Sequence, residues 1–251
     1  MYGGQYGTPR LGPGRRHASW SGLAAAIGLV FSLLLANPDA TAQNLPDTIA
    51  QRTLACTACH GNEGRAASDG FYPRIAGKPA GYLYNQLMNF REGRRRYPLM
   101  IYMVDHLSDD YLHEIATYFS SLNPPYPAPQ AASAPPSVLA RGEQLVRSGD
   151  TAQKVPACVG CHGKELTGML PSIPGLLGLP RDYLNAQFGA WKNGARHATA
   201  PDCMAQIVRR LSNQDISAAI AWLAAQPLPA DTAPAVAMTT KLPIPCGSFP
   251  Q

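Results

Sequence analysis

The chain reads ACTACHG at residues 55–61 and ACVGCHG at residues 157–163. With six cysteines and six histidines among 251 residues, chance supplies a Cys-x-x-Cys-His string only about 0.003 times per chain. Two copies therefore mark one chemical unit used twice, in which two thiols and the next imidazole act together.

The duplication extends well beyond the cysteines. YPRIAGKPAGYLYNQLMNFREGRRR (72–96) is matched by IPGLLGLPRDYLNAQFGAWKNGARH (173–197), with Pro73 on Pro174, Tyr82 on Tyr183, Gln86 on Gln187, Phe90 on Trp191 and Gly93 on Gly194. LMIYMVDHLSDDYLHEIATYF (99–119) is matched by CMAQIVRRLSNQDISAAIAWL (203–223), after a three-residue insertion that follows the shared glycine. Each copy reads as helical. Leu83, Leu87 and Phe90 recur at helical spacing, as do Leu184, Phe188 and Trp191, and Gly93 and Gly194 fit C-terminal caps. Ser108, followed by Asp109 and Asp110, starts the last helix of the first copy, and the Ser212/Asp215 capping box starts that of the second. Leu112, Ile115 and Phe119 then form one apolar stripe, and Ile216, Ile220 and Leu223 the other. No alternating strand pattern competes. The expected fold is all-α, with two tandem domains at 43–122 and 138–226. A linker at 123–137, six of its residues proline, joins them, and an irregular tail follows at 227–251.

Composition is that of a globular protein, 45% hydrophobic and 15% charged. The net charge of +5 contains no basic run with interleaved aromatics, so nucleic acid is not an expected partner. Residues 1–42 read as a signal peptide. A basic stretch with Arg10, Arg15 and Arg16 precedes the apolar run GLAAAIGLVFSLLLA (22–36), and Ala40 and Ala42 make a cleavage frame, with cleavage expected after Ala42. The rival reading is an uncleaved anchor, but the run is shorter than the ~17–25 residues a spanning helix needs. Export to the periplasm places the cysteines where unpaired thiols are oxidised.

Three chemistries use Cys-x-x-Cys. A zinc site wants four thiolates together, but the two pairs lie about a hundred residues apart, and zinc gives no reason for the following histidines. A thioredoxin-type disulfide needs a βαβ unit that is not written here. Covalent haem uses every part of the frame: two sulfurs reach the porphyrin vinyl groups and the adjacent imidazole ligates the iron. Two haems c are expected, also as the flat apolar bodies around which units of roughly 80 residues can fold. Met100 lies seven residues before Leu107 and Met204 seven before Leu211, which makes both candidate axial thioethers. Met103 is a rival in the first copy, but it aligns with Ile207. Met88 and Met169 have no methionine counterparts, and His106, His113 and His197 fit solvated positions, as His17 fits the leader.

These motifs together, from CTACHG through LMIYMVDHLSDD and from CVGCHG through CMAQIVRRLSNQD, resemble the cytochrome c4 group, exported diheme cytochromes built of two tandem class I cytochrome c domains. The resemblance covers roughly residues 48–226. It implies attachment and ligation by Cys56, Cys59, His60 and Met100 and by Cys158, Cys161, His162 and Met204. It also implies that Pro73 and Pro174 each turn a carbonyl onto the ligand histidine. Cys203 beside Met204, and the tail carrying Cys246, depart from the family pattern. An even pair in an exported chain is most simply a disulfide, while two separate thiols, an intermolecular link or Cys203 as an iron ligand remain open.

Two six-coordinate haems leave no open site for substrate, so outer-sphere electron transfer is expected rather than catalysis. The leading expectation is a soluble periplasmic carrier serving a terminal oxidase or a reductase, peripheral to the membrane through its partners. The alternative is the cytochrome subunit of a dehydrogenase complex. A diheme peroxidase or thiosulfate-oxidising enzyme would require one haem to lose its methionine or to use Cys203.

Overall fold

The side chains that begin the helices are those the sequence singles out. In the computed structural model, which describes residues 46–66, 70–236 and 241–249, the Ser108 hydroxyl accepts from the Tyr111 amide at 3.2 Å, and that of Ser212 from the Asp215 amide at 3.0 Å. Ser212 also donates to the Asp215 carboxylate at 2.9 Å. The expected signal peptide lies outside the described residues.

The first half consists of α1 (Ile49–Arg52), α2 (Leu54–His60), a 3-10 turn (Asn62–Gly64), α3 (Ala80–Arg91), α4 (Pro98–Val104) and α5 (Asp109–Ser121). The second consists of α6 (Pro136–Arg147), α7 (Val159–His162), α8 (Arg181–Lys192), α9 (Cys203–Arg210) and α10 (Asn213–Ala225). Both lie in one unit. The expected stripes face inward: Leu83 and Phe90 of α3 pack with Leu112, Ile115 and Phe119 of α5, and Leu184 of α8 packs with Ile216, Ile220 and Leu223 of α10. Gly93 (φ 73°) and Gly194 (φ 75°) each end a helix in the left-handed region, where a side chain would be strained.

The halves differ at their first helices. The four-residue α1 touches α5, whereas the twelve-residue α6 lies along α10. The approach of α6 to α10 is allowed by Gly142, since a Cβ there would stand 2.2 Å from the Ala218 carbonyl oxygen and 2.8 Å from the Trp222 Cβ. The second half also contains a short antiparallel hairpin, β1 (Gly168–Met169) with β2 (Ile173–Pro174). Two-residue strands are too short to register as an alternation.

Both irregular segments are held. In the linker, the Pro124 and Pro125 carbonyls accept from Arg74, which is 2% exposed and lies 3.7 Å from the Tyr126 ring centroid. Further on, Gln130 donates its amide to Ala224, and Ala131 and Ser133 accept from Arg181. In the tail, Ala235 exchanges backbone bonds with Gly168 and Leu170, and the Ser248 carbonyl accepts from Asn85 and Ser172. Among the described residues no helix is long and apolar enough to cross a membrane.

Candidate functional site

Cys56 and Cys59 stand three residues apart on α2, hence on one helical face, and His60 closes the helix. His60 is 8% exposed, and its Nδ1–H donates to the Pro73 carbonyl at 2.8 Å. Burial pushes this imidazole's pKa down, and the carbonyl draws it only partly back. The ring is therefore neutral, with its proton on Nδ1 and its Nε2 lone pair free to ligate. A largely apolar cavity of about 520 Å³ is bordered by Cys56, Cys59, His60, Pro73 and Met100. Met103 borders it too.

The second half repeats this arrangement. The His162 Nδ1–H donates to the Pro174 carbonyl at 2.7 Å, and burial again holds the imidazole neutral. Cys158, Cys161, His162, Pro174 and Met204 border a cavity of about 160 Å³. Burial pushes the Cys158 thiol up to about 11 and raises those of Cys161 and Cys56. None of the four Cys-x-x-Cys thiols is in a disulfide. The two pairs border separate cavities, so they do not form the shared four-thiolate site that zinc would need. Cys203 is bonded to Cys246, 43 residues on. That bond removes Cys203 as an iron ligand and carries the tail to the second cavity, which Leu242, Ile244 and Phe249 also border. Met88 is half-buried and accepts from Arg91, Met169 is buried in β1, and His106, His113 and His197 are exposed.

The donor set fits a c-type haem in each cavity: two thiols, a neutral imidazole and a thioether, surrounded by apolar side chains. Unpaired polar groups point the same way. The indole Nε1–H of Trp191 is buried beside the second cavity without an acceptor among the described residues, as a group awaiting a carboxylate would be.

Between the halves runs a polar seam not foreseen from the sequence. Arg94 and Arg96 exchange backbone hydrogen bonds with His197 and Ala195. The Arg95 guanidinium donates to Gln86 and Gln187, that of Arg196 donates to the same two glutamines and to Tyr82, and each arginine also stacks on its own half's aromatic, Phe90 or Trp191. The signal lay in the repeat itself. Tyr82/Tyr183, Gln86/Gln187 and Arg95/Arg196 recur in register, and polar residues repeated within an apolar pattern mark a shared contact.

A mainly helical frame that twice brings Cys-x-x-Cys-His, a proline carbonyl and a methionine around an apolar cavity defines a diheme c-type cytochrome. No family model matches the chain. It is 36% identical over 206 residues to the thiosulfate dehydrogenase electron acceptor of Thiomonas intermedia, covering 81% of this chain and 90% of that protein. It is 32% identical over 174 residues to cytochrome c4 of Pseudomonas aeruginosa, covering 68% and 84%. The crystal structure of reduced recombinant cytochrome c4 from Pseudomonas stutzeri superposes with a TM-score of 0.61 at 31% identity, over 70% of this chain and 95% of that one. The chain belongs to the cytochrome c4 family. Its function is electron transfer through two haems c, not catalysis.

Proposed function

We propose that Cys56, Cys59, His60 and Met100 hold the first haem and Cys158, Cys161, His162 and Met204 the second, within domains spanning 43–122 and 138–226 on either side of a linker at 123–137. The observation that carries this is that each cavity is bordered by its own Cys-x-x-Cys pair, its own proline-bonded histidine and the methionine at the matched position. Bound haem supplies a one-electron ferric/ferrous couple. The thiols would tether the group, the imidazole and thioether would ligate its iron, and the Pro73 and Pro174 carbonyls hold each imidazole in the tautomer whose Nε2 is free to bind. The apolar walls exclude water and favour the less charged ferrous state.

The chain is read as a periplasmic carrier, exported by the segment that ends near Ala42. With both sites loaded the chain would hold two electrons, one per site, taken from a donor that is oxidised by the same number and passed to an oxidase or reductase. The likeness to thiosulfate dehydrogenase electron acceptors favours a dehydrogenase as the donor, met either in solution or as a partner subunit. Mass spectrometry of the exported protein tests the site: the chain should begin after Ala42 and carry two haem masses. One haem, or bound zinc, would refute the assignment. Rapid mixing with a reduced thiosulfate dehydrogenase should reduce both haems, and no reduction would remove that donor.

A further inference from the structure

Lys78 is 8% exposed, in the loop just before α3, and it borders both cavities. Among the described residues it has no acidic partner and no hydrogen bond. Asp182 and Asp202 also border the cavities, but Asp182 is exposed at the start of α8 and Asp202 accepts from the Ala198 and Ala205 amides. Burial opposes the charge of Lys78, the Tyr82 phenol favours it, and Arg74, Arg196 and Arg95 oppose it further. The matched residue in the second half is Leu179, buried in the core, so this backbone position does not itself require an ammonium. Three cations, Lys78, Arg95 and Arg196, thus converge on one seam without a carboxylate to balance them among the described residues. A buried ammonium either loses its proton or finds a counter-charge. The anions this site awaits are the carboxylate side chains of the haems.

We propose that Lys78 is the shared counter-charge for carboxylates of both haems at the seam between the halves, and that it raises both reduction potentials. The inference rests on the two-haem reading above. A positive charge beside both cavities opposes the extra positive charge of ferric iron, so removing it should favour oxidation at both sites. It also gives the seam a use that the matched glutamines, which carry no charge, cannot supply.

The test is a spectroelectrochemical titration of the full-length holoprotein with Lys78→Leu, in which haem mass counting is done first. Fewer than two haems in the wild type would refute the haem assignment and leave nothing for Lys78 to balance. With two haems in place, both one-electron waves should move to lower potential, each reduction equilibrium falling roughly tenfold, as expected for one unit charge several ångströms away in a partly polar interior. Lys78→Arg should stay near the wild type at both waves. If the leucine variant fails to mature, the neutral Lys78→Gln should show the same paired fall. Unmoved waves, a shift of one wave only, or a fall as large in Lys78→Arg as in the neutral variants would overturn the proposal.

Discussion

The two halves share their ligand geometry and differ in what encloses it. His60 and His162 donate to matched prolines at nearly the same distance, 2.8 and 2.7 Å. Yet the first cavity measures about 520 Å³, with Phe71, Leu99 and Met103 at its border still exposed, while the second measures about 160 Å³ and is bordered by the disulfide-held tail. The local motif sets which donor atoms meet in each cavity. The added cover of the second cavity comes from the tail, which lies outside the repeat.

Breaking the ligand sets should give the largest effects. Among the described residues the second cavity is bordered by one thioether, that of Met204, so Met204→Ala should abolish that site's methionine signature and remove about half of the near-infrared sulfur-to-iron band. Met100→Ala should remove the other half. Met103→Ala should leave the band intact, and losing it there would exchange the roles of the two methionines in the first cavity.

Cutting the tether comes next. Cys246→Ser opens a loop spanning 43 residues, for which chain entropy gives about 3–4 kcal/mol, an upper figure because measured effects are often smaller. On mild heating the sulfur-to-iron band of the second haem should fade first while that of the first is unchanged. Equal fading of both would show that the tail does not distinguish the halves.

The helix contact present in the second half alone is the third target. Gly142→Ala should overpack α6 against α10 and cost about 1–3 kcal/mol in denaturant unfolding followed by Trp fluorescence. An unchanged midpoint would mean that α6 shifts freely to make room.

The smallest effect is acidic. Burial pushes the Asp215 carboxyl up, but hydrogen bonds from Arg141 at 2.8 Å, Ser212 and Gln153 outweigh it and hold the pKa at about 2. A carboxyl depressed in the folded state stabilises above its ordinary pKa near 4 and loses that contribution as pH falls toward 2. Asp215→Asn should therefore cost about 1–2 kcal/mol at pH 7 and almost nothing near pH 2. A cost independent of pH would assign the effect to packing. At the matched position the first half has Tyr111, which packs on Arg52, so this pH dependence should report on the second half.

Legible in the sequence were the duplicated helical frame, its caps, and the paired thiols and imidazoles; the sequence favoured a bond between Cys203 and Cys246 but left separate thiols, an intermolecular link and an iron-ligand role open, and the structure closed that choice. The frame, caps and pairs depend on spacings of a few residues, and short spacings fix which side chains share a helical face whatever lies around them. The repeat aligned Pro73 with Pro174, while their carbonyls facing the histidines were expected only from the resemblance to the cytochrome c4 group. The tertiary contacts alone show that Arg74 is buried under the linker, that the described part of the tail borders the second cavity, and that Lys78 borders both. Each of these depends on contacts between segments far apart in the chain, where burial comes from the neighbours rather than from residue type. A lysine read alone predicts a solvated surface, and only the walls of two cavities make it a buried charge in need of a partner.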